Sequence, residues 1–190
     1  MKILLKKNIL LALALLFIAL LTRSSHELTS FSLPDASLAI FIAAGIFLKQ
    51  RKWLLVFIAS IVSLDWSIIN VNNMTHINFE ISYLGHIFTY IMTWELGRKF
   101  LSDGKFLKAK IFFPISLSAI LLSYIISFSS HYFFSGWISN PSFYDGLSFL
   151  GSYFNSFFIP NAAYIAVVFV CFKVTQEVSK LALFNRASNL

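Results

Sequence analysis

FSLPDASLAIFIAAGIFLKQRKWLLVFIASIVSLDW, residues 31–66, sets two apolar runs on either side of the basic turn Lys49-Gln50-Arg51-Lys52. In lipid, every backbone N–H and C=O must be paired within its own segment, so each run reads as a helix. Short loops rich in Lys and Arg stay on the cytoplasmic side of a membrane. The pair is therefore a helical hairpin with a cytoplasmic turn, and its Pro34-Asp35 and Asp65-Trp66 ends meet on the opposite side. That orientation places the rest of the chain and puts the candidate site at the Asp-bearing end.

Composition supports the lipid reading. Of the 190 residues 58% are hydrophobic and only 12% are charged, with a mean hydropathy of +0.77. An ordinary soluble domain is nearer half apolar and a quarter charged. The net charge of +7 resembles that of a nucleic-acid binder, but the bases cluster between apolar segments, which is a topology signal. Cys171 is the single cysteine, so there is no intramolecular disulfide and no multi-cysteine metal site.

Working outward, the expected architecture is an all-α membrane protein, one domain over residues 1–190. Its six transmembrane helices lie at about 8–22, 34–48, 53–69, 81–96, 111–128 and 147–172. The first could be a signal peptide, but Thr22-Arg23-Ser24-Ser25 offers no clear cleavage site, so a retained helix is favoured. Fourteen of the fifteen Lys and Arg residues then fall on one side, with Arg23 alone outside, and both termini are cytoplasmic. Helix 2 is expected to begin at Pro34 with Ser32 as a cap. Asp35 would then sit where the helix dipole favours an anion. Helix 2 spans roughly 22 Å, short of a hydrocarbon core of about 30 Å, which leaves room for a cavity.

No sequence motif of an enzyme or of ATP binding is present. The informative residues are polar ones in or beside helices. A carboxylate inside a span is costly and faces a cavity or a partner, so Asp65 reads either as a ligand contact or as a helix-packing acceptor for Ser, Thr or Tyr. Tyr83, at the start of helix 4, carries the same two readings. His86, one turn on, reads as a packing histidine, and Glu95 with Arg98 as an i,i+3 ion pair. His26, His76 and His131 fall on outer loops. With Asp65 and Tyr83 they outline a polar outer pocket. The run from His131 through Tyr132 and Phe133 to Trp137 is either an interfacial belt or an aromatic wall over a large ligand. Asn155 and Asn161 bracket Pro160 and are expected to serve backbone groups freed by a kink.

Leu33-Pro34-Asp35-Ala36-Ser37, Leu64-Asp65 and Tyr132-Phe133-Phe134-Ser135-Gly136 resemble the BtuM family. Its members are small, cobalamin-specific S components of energy-coupling-factor (ECF) transporters. The resemblance extends from about His26 to helix 6. It implies an S-component-like bundle in the bacterial inner membrane and an outward pocket for vitamin B12 (cobalamin) as bound substrate. It implies no intrinsic cofactor and no enzyme activity. Pocket positions of the family fall on His26, Asp65 and Tyr83; His131, Tyr132 and Phe133 complete the candidate set. Partners would be the corrinoid, the lipid bilayer, and either an ECF module of coupling subunit plus ATPases or none.

The sequence departs from the family twice. Many relatives carry a cobalt-ligating cysteine just before the tyrosine, where this chain reads His76-Ile77-Asn78-Phe79-Glu80. Imidazole also binds cobalt, so His76 is the candidate ligand, followed by His86 and His26. The alternative is that no side chain touches the metal. S components often show A-x-x-x-A on helix 1, a spacing that Ala12, Ala14 and Ala19 do not fit. The rival readings are a transporter for another vitamin, a non-transporting structural membrane protein and, third, a membrane enzyme using Asp65 and the histidines for acid–base work.

Overall fold

The structure, a computed structural model, describes the backbone of residues 2–28, 33–71, 81–136 and 138–187, and the side chains of 8–23, 33–68, 81–136 and 138–178. Six α-helices follow in chain order: α1 Lys2–Leu28, α2 Ser37–Leu48, α3 Arg51–Val71, α4 Ile81–Phe100, α5 Ala109–Phe134 and α6 Phe143–Ala187. A 3-10 turn, Lys105–Leu107, joins α4 to α5, and the described residues contain no strand. By length and composition, Ala109–Phe134 and Phe143–Val178 can each cross a membrane; Asn8–Arg23 and Ser37–Leu48 are shorter apolar segments.

The axis of the bundle is α2. Every one of its residues except Phe47 is buried, and it touches all five other helices. Its sequence has no polar stripe because every side of it meets protein. Two facing glycines make the closest approach. A Cβ added to Gly45 would collide with the Trp94 carbonyl oxygen on α4, and one added to Gly97 would collide with the Ile42 carbonyl oxygen on α2. Glycine at both positions lets the two backbones touch directly, and the gain is dispersion along the whole contact. Around that contact Phe41 stacks on Tyr90 with ring centroids 4.6 Å apart, while Phe57 and Trp94 meet edge to face at 5.9 Å.

The flanking helices use small or aromatic residues in the same way. Helix α1 turns Ala12, Ala19 and Thr22 inward and leaves Leu10, Leu13 and Phe17 exposed. Ala12 and Ala19 therefore pack against the bundle's own core. Helices α5 and α6 interleave aromatic rings: Tyr124, Phe128 and Tyr132 pack among Phe149, Tyr153, Phe154 and Phe157. The Tyr124 hydroxyl donates to the Leu150 carbonyl. Within α6 the Asn161 amide donates to the Phe157 carbonyl at 2.9 Å, next to the backbone gap left by Pro160. Asn155 is exposed.

Charge sorts to the two ends of the bundle. At the α2–α3 turn Lys49 pairs with Asp103 at 2.6 Å, and Glu95 accepts from Arg98 at 2.5 Å and from Arg51 at 3.1 Å. The Glu95–Arg98 contact is the expected i,i+3 pair, with Arg51 added from α3. The Lys49 ammonium, and next the Ser102 hydroxyl, hold the Asp103 carboxyl below its ordinary range. The opposite end holds Arg23, Asp35 and Asp65.

Several helix ends differ from the sequence expectation. The basic turn shrinks to Lys49-Gln50, with Lys49 in the left-handed region (φ 49°) and α3 starting at Arg51. Helix α1 continues through the stretch expected as an outer loop and reaches Leu28. Helix α2 begins at Ser37, three residues after Pro34, because Asp35 caps it from outside: its Oδ1 accepts the Ser37 N–H at 2.9 Å and the Ser37 hydroxyl at 2.5 Å. Helix α5 runs on to Phe134. Helix α6 begins at Phe143 with a capping pair, in which Ser142 Oγ accepts the Asp145 N–H at 3.1 Å and donates to the Asp145 carboxylate at 2.6 Å.

Candidate functional site

Three helices and the segment entering α2 meet at the guanidinium of Arg23, near the end of α1. Its Nε donates to Asp65 Oδ1 at 2.5 Å and one terminal nitrogen donates to Asp65 Oδ2 at 2.7 Å. This is the two-pronged geometry for which the planar guanidinium is built. The other terminal nitrogen donates to Asp35 Oδ2 at 2.7 Å and to the Tyr90 hydroxyl at 2.8 Å. The Tyr83 hydroxyl completes the group by donating to Asp65 Oδ2 at 2.5 Å.

Local structure explains how each member arrives there. Thr22 is buried on the inner face of α1, where its hydroxyl donates to the Ile18 and Ala19 carbonyls and accepts the Ala36 N–H at 3.3 Å. That bond ties α1 to the start of α2 and sets Arg23 beside Asp35. Asp65 lies on the part of α3 that faces α1 and α4. Tyr83 and Tyr90 are seven residues apart on α4, two turns along one face. The stacked Phe41 ring fixes Tyr90, and the guanidinium carbon lies 5.9 Å from the Tyr90 ring centre. The Tyr164 hydroxyl on α6 donates to the Pro34 carbonyl at 2.8 Å and pins the segment entering α2.

Access to the group is uneven. The Arg23 and Asp65 side chains are 18% and 11% exposed, whereas Asp35 is 42% exposed. The cluster offers charge and hydrogen-bond acceptors, the means of recognising a ligand. Asp65 is the acceptor of a packing hydrogen bond from a tyrosine, as one reading expected. Its principal partner is Arg23, which that reading did not weigh. Asp35 both caps α2 and binds Arg23.

The remaining candidates divide. Asp65 and Tyr83 meet directly. His131, Tyr132 and Phe133 belong to the last turns of α5, where a loop was expected. Tyr132 is buried: its ring packs on Phe149 and Phe133 and its hydroxyl donates to the Ser142 carbonyl at 3.1 Å, so it staples α5 to the start of α6. Phe133 and Phe134 are exposed beside it. Gly85 abuts Ser130 on the α4–α5 seam, and the His86 ring lies 6.0 Å from the Tyr83 ring, within electrostatic reach of Arg23, Asp65 and His131. By its backbone His26 lies in the last turn of α1. Its side chain, and the whole of His76, fall outside the described residues. Among the described residues no three His, Cys, Asp or Glu side chains gather as a metal ion would need.

Sequence reasoning missed Arg23 and Tyr90. The signal for Arg23 was present, since the expected six-span arrangement sets it alone apart from the other fourteen bases, in a region that also holds Asp35 and Asp65. Tyr90 had no comparable signal, being one aromatic residue in an aromatic-rich helix. Compared with known proteins, no family model matches the chain, and no curated protein matches it.

Proposed function

We propose that this protein is a membrane-embedded binding and transport protein for cobalamin or a related corrinoid. It would sit in the bacterial inner membrane with six spans, both termini cytoplasmic and the Arg23 end facing outward. One observation carries the reading. Two pocket positions implied by the resemblance, Asp65 and Tyr83, bond to each other, and Arg23 joins Asp65 to Asp35, which lies in the first of the resembling segments. The apolar composition, the two long apolar helices and the sorting of bases to the Lys49 end support the membrane setting. Corrinoid side chains are rich in amides, whose N–H groups suit carboxylate and tyrosine oxygens.

Protein purified from cells supplied with cyanocobalamin is expected to be pink and to show corrinoid absorption in the visible. A colourless preparation that also fails to bind added cyanocobalamin overturns the reading. Topology is tested separately. In a Cys171→Ser background, Ser139→Cys and Lys105→Cys are expected to react with a membrane-impermeant thiol reagent from opposite sides. Both positions are exposed, one just before α6 and one in the turn between α4 and α5. Labelling of Lys105→Cys from outside intact cells sinks the six-span orientation.

A further inference from the structure

We propose that the open side of the Arg23 cluster is a negatively charged site that takes hydrogen-bond donors or cationic groups and disfavours carboxylates, and that Asp35 is the residue that sets this preference. The inference rests on the reading of this end of the bundle as the ligand site and specifies which ligand groups it accepts.

The bond inventory decides the point. A guanidinium has five N–H donors. Four of them already serve Asp65, Asp35 and Tyr90. The fifth sits on the terminal nitrogen already bound to Asp65, so Arg23 is held by its partners and cannot turn to an incoming carboxylate without stranding one of them. Asp65 accepts three bonds and is nearly covered. Asp35 also accepts three, two of them from Ser37 on one oxygen, but it is the most exposed member. A carboxylate has about four acceptor directions, so among the described residues Asp35 Oδ2 keeps one open. The Tyr83 hydroxyl spends its proton on Asp65. One guanidinium against two carboxylates leaves the group a formal charge of −1. An approaching ligand therefore meets oxygen lone pairs, although the chain as a whole carries +7.

The local field can be read without any corrinoid. Leu33 is exposed two residues before Asp35. In a Cys171→Ser background, Leu33→Cys is expected to react about ten-fold faster with a cationic than with an anionic methanethiosulfonate, each rate normalised to a free thiol. Adding Asp35→Asn should lower that ratio at least about three-fold. A wild-type ratio at or below one, the direction the overall charge would give, overturns the inference, and so does a ratio that folded Asp35→Asn leaves unchanged. If Asp35→Asn does not fold, the wild-type ratio decides alone. The ligand arm compares cyanocobalamin with its monocarboxylic acid, one propionamide hydrolysed. The acid is expected to bind at least about ten-fold more weakly at neutral pH, and equal binding overturns the inference. A chain that binds neither but keeps the thiol ratio defeats the corrinoid reading alone.

Discussion

Arg23→Met is expected to lower stability by about 3–5 kcal/mol, the typical cost of removing one partner from a buried ion pair. The guanidinium makes four hydrogen bonds and joins α1 to α3, α4 and the segment entering α2. Without it Asp65, only 11% exposed, keeps just the Tyr83 hydroxyl as partner among the described residues. The stranded carboxylate would cost more than the lost bonds themselves. Unfolding in mixed micelles under increasing denaturing detergent would measure the loss. Arg23→Lys should fall between, since an ammonium keeps the charge but not the two-pronged fit to Asp65. Arg23→Met combined with Asp65→Leu should recover part of the loss, because no buried charge is then left unpaired. If Arg23→Met unfolds at the wild-type midpoint, the cluster is not what holds this end together. The same reasoning makes Asp65→Ala a poor probe of ligand binding, since it strips Arg23 of its two-pronged partner, and makes Asp35 the better position.

Gly45→Ala should be the second severe change. The new methyl would collide with the Trp94 carbonyl oxygen, a backbone atom that cannot rotate aside. Overpacking of this kind typically costs about 1–3 kcal/mol, and the rigidity of the obstacle places Gly45 at the upper end or beyond. Gly97→Ala meets the Ile42 carbonyl and should behave alike. Gly151→Ala is the control. It lies inside α6 with open space around its added Cβ, so it should stabilise by up to about 1 kcal/mol through helix propensity. Thermal unfolding of the three variants side by side gives the ranking. A Gly45→Ala protein as stable as Gly151→Ala would mean that α2 and α4 do not touch backbone to backbone.

The helices were legible because their causes are local. An apolar run long enough to satisfy its own backbone, bounded by bases, is a property of consecutive residues. Each of the six expected segments overlaps an observed helix. Some helix ends were legible in principle, since the Ser142-x-x-Asp145 spacing that starts α6 at Phe143 is a local signal that the sequence reading passed over. The start of α2 was not, because Pro34 by itself favours a first helical turn. The chain stays outside the helix there because Asp35 reaches forward to Ser37 and across to Arg23, while Tyr164 holds the Pro34 carbonyl.

By itself the sequence determined an all-helical chain of six segments, a pole rich in bases and an opposite pole bearing Asp35 and Asp65. Tertiary structure alone decided which side chains share that second pole. Arg23 meets Asp65 across 42 residues and Tyr90 across 67, and no periodicity within one helix encodes a pairing between helices. The same holds for Gly45 and Gly97. Each reads in the sequence as a weak point in a helix, and each becomes a contact only when α2 lies against α4. Tyr132 reads in the sequence as one residue of an aromatic run leaving a helix. Its burial against Phe149 follows from how α5 packs on α6, a relation that depends on shape complementarity between surfaces and not on the order of residues in either one.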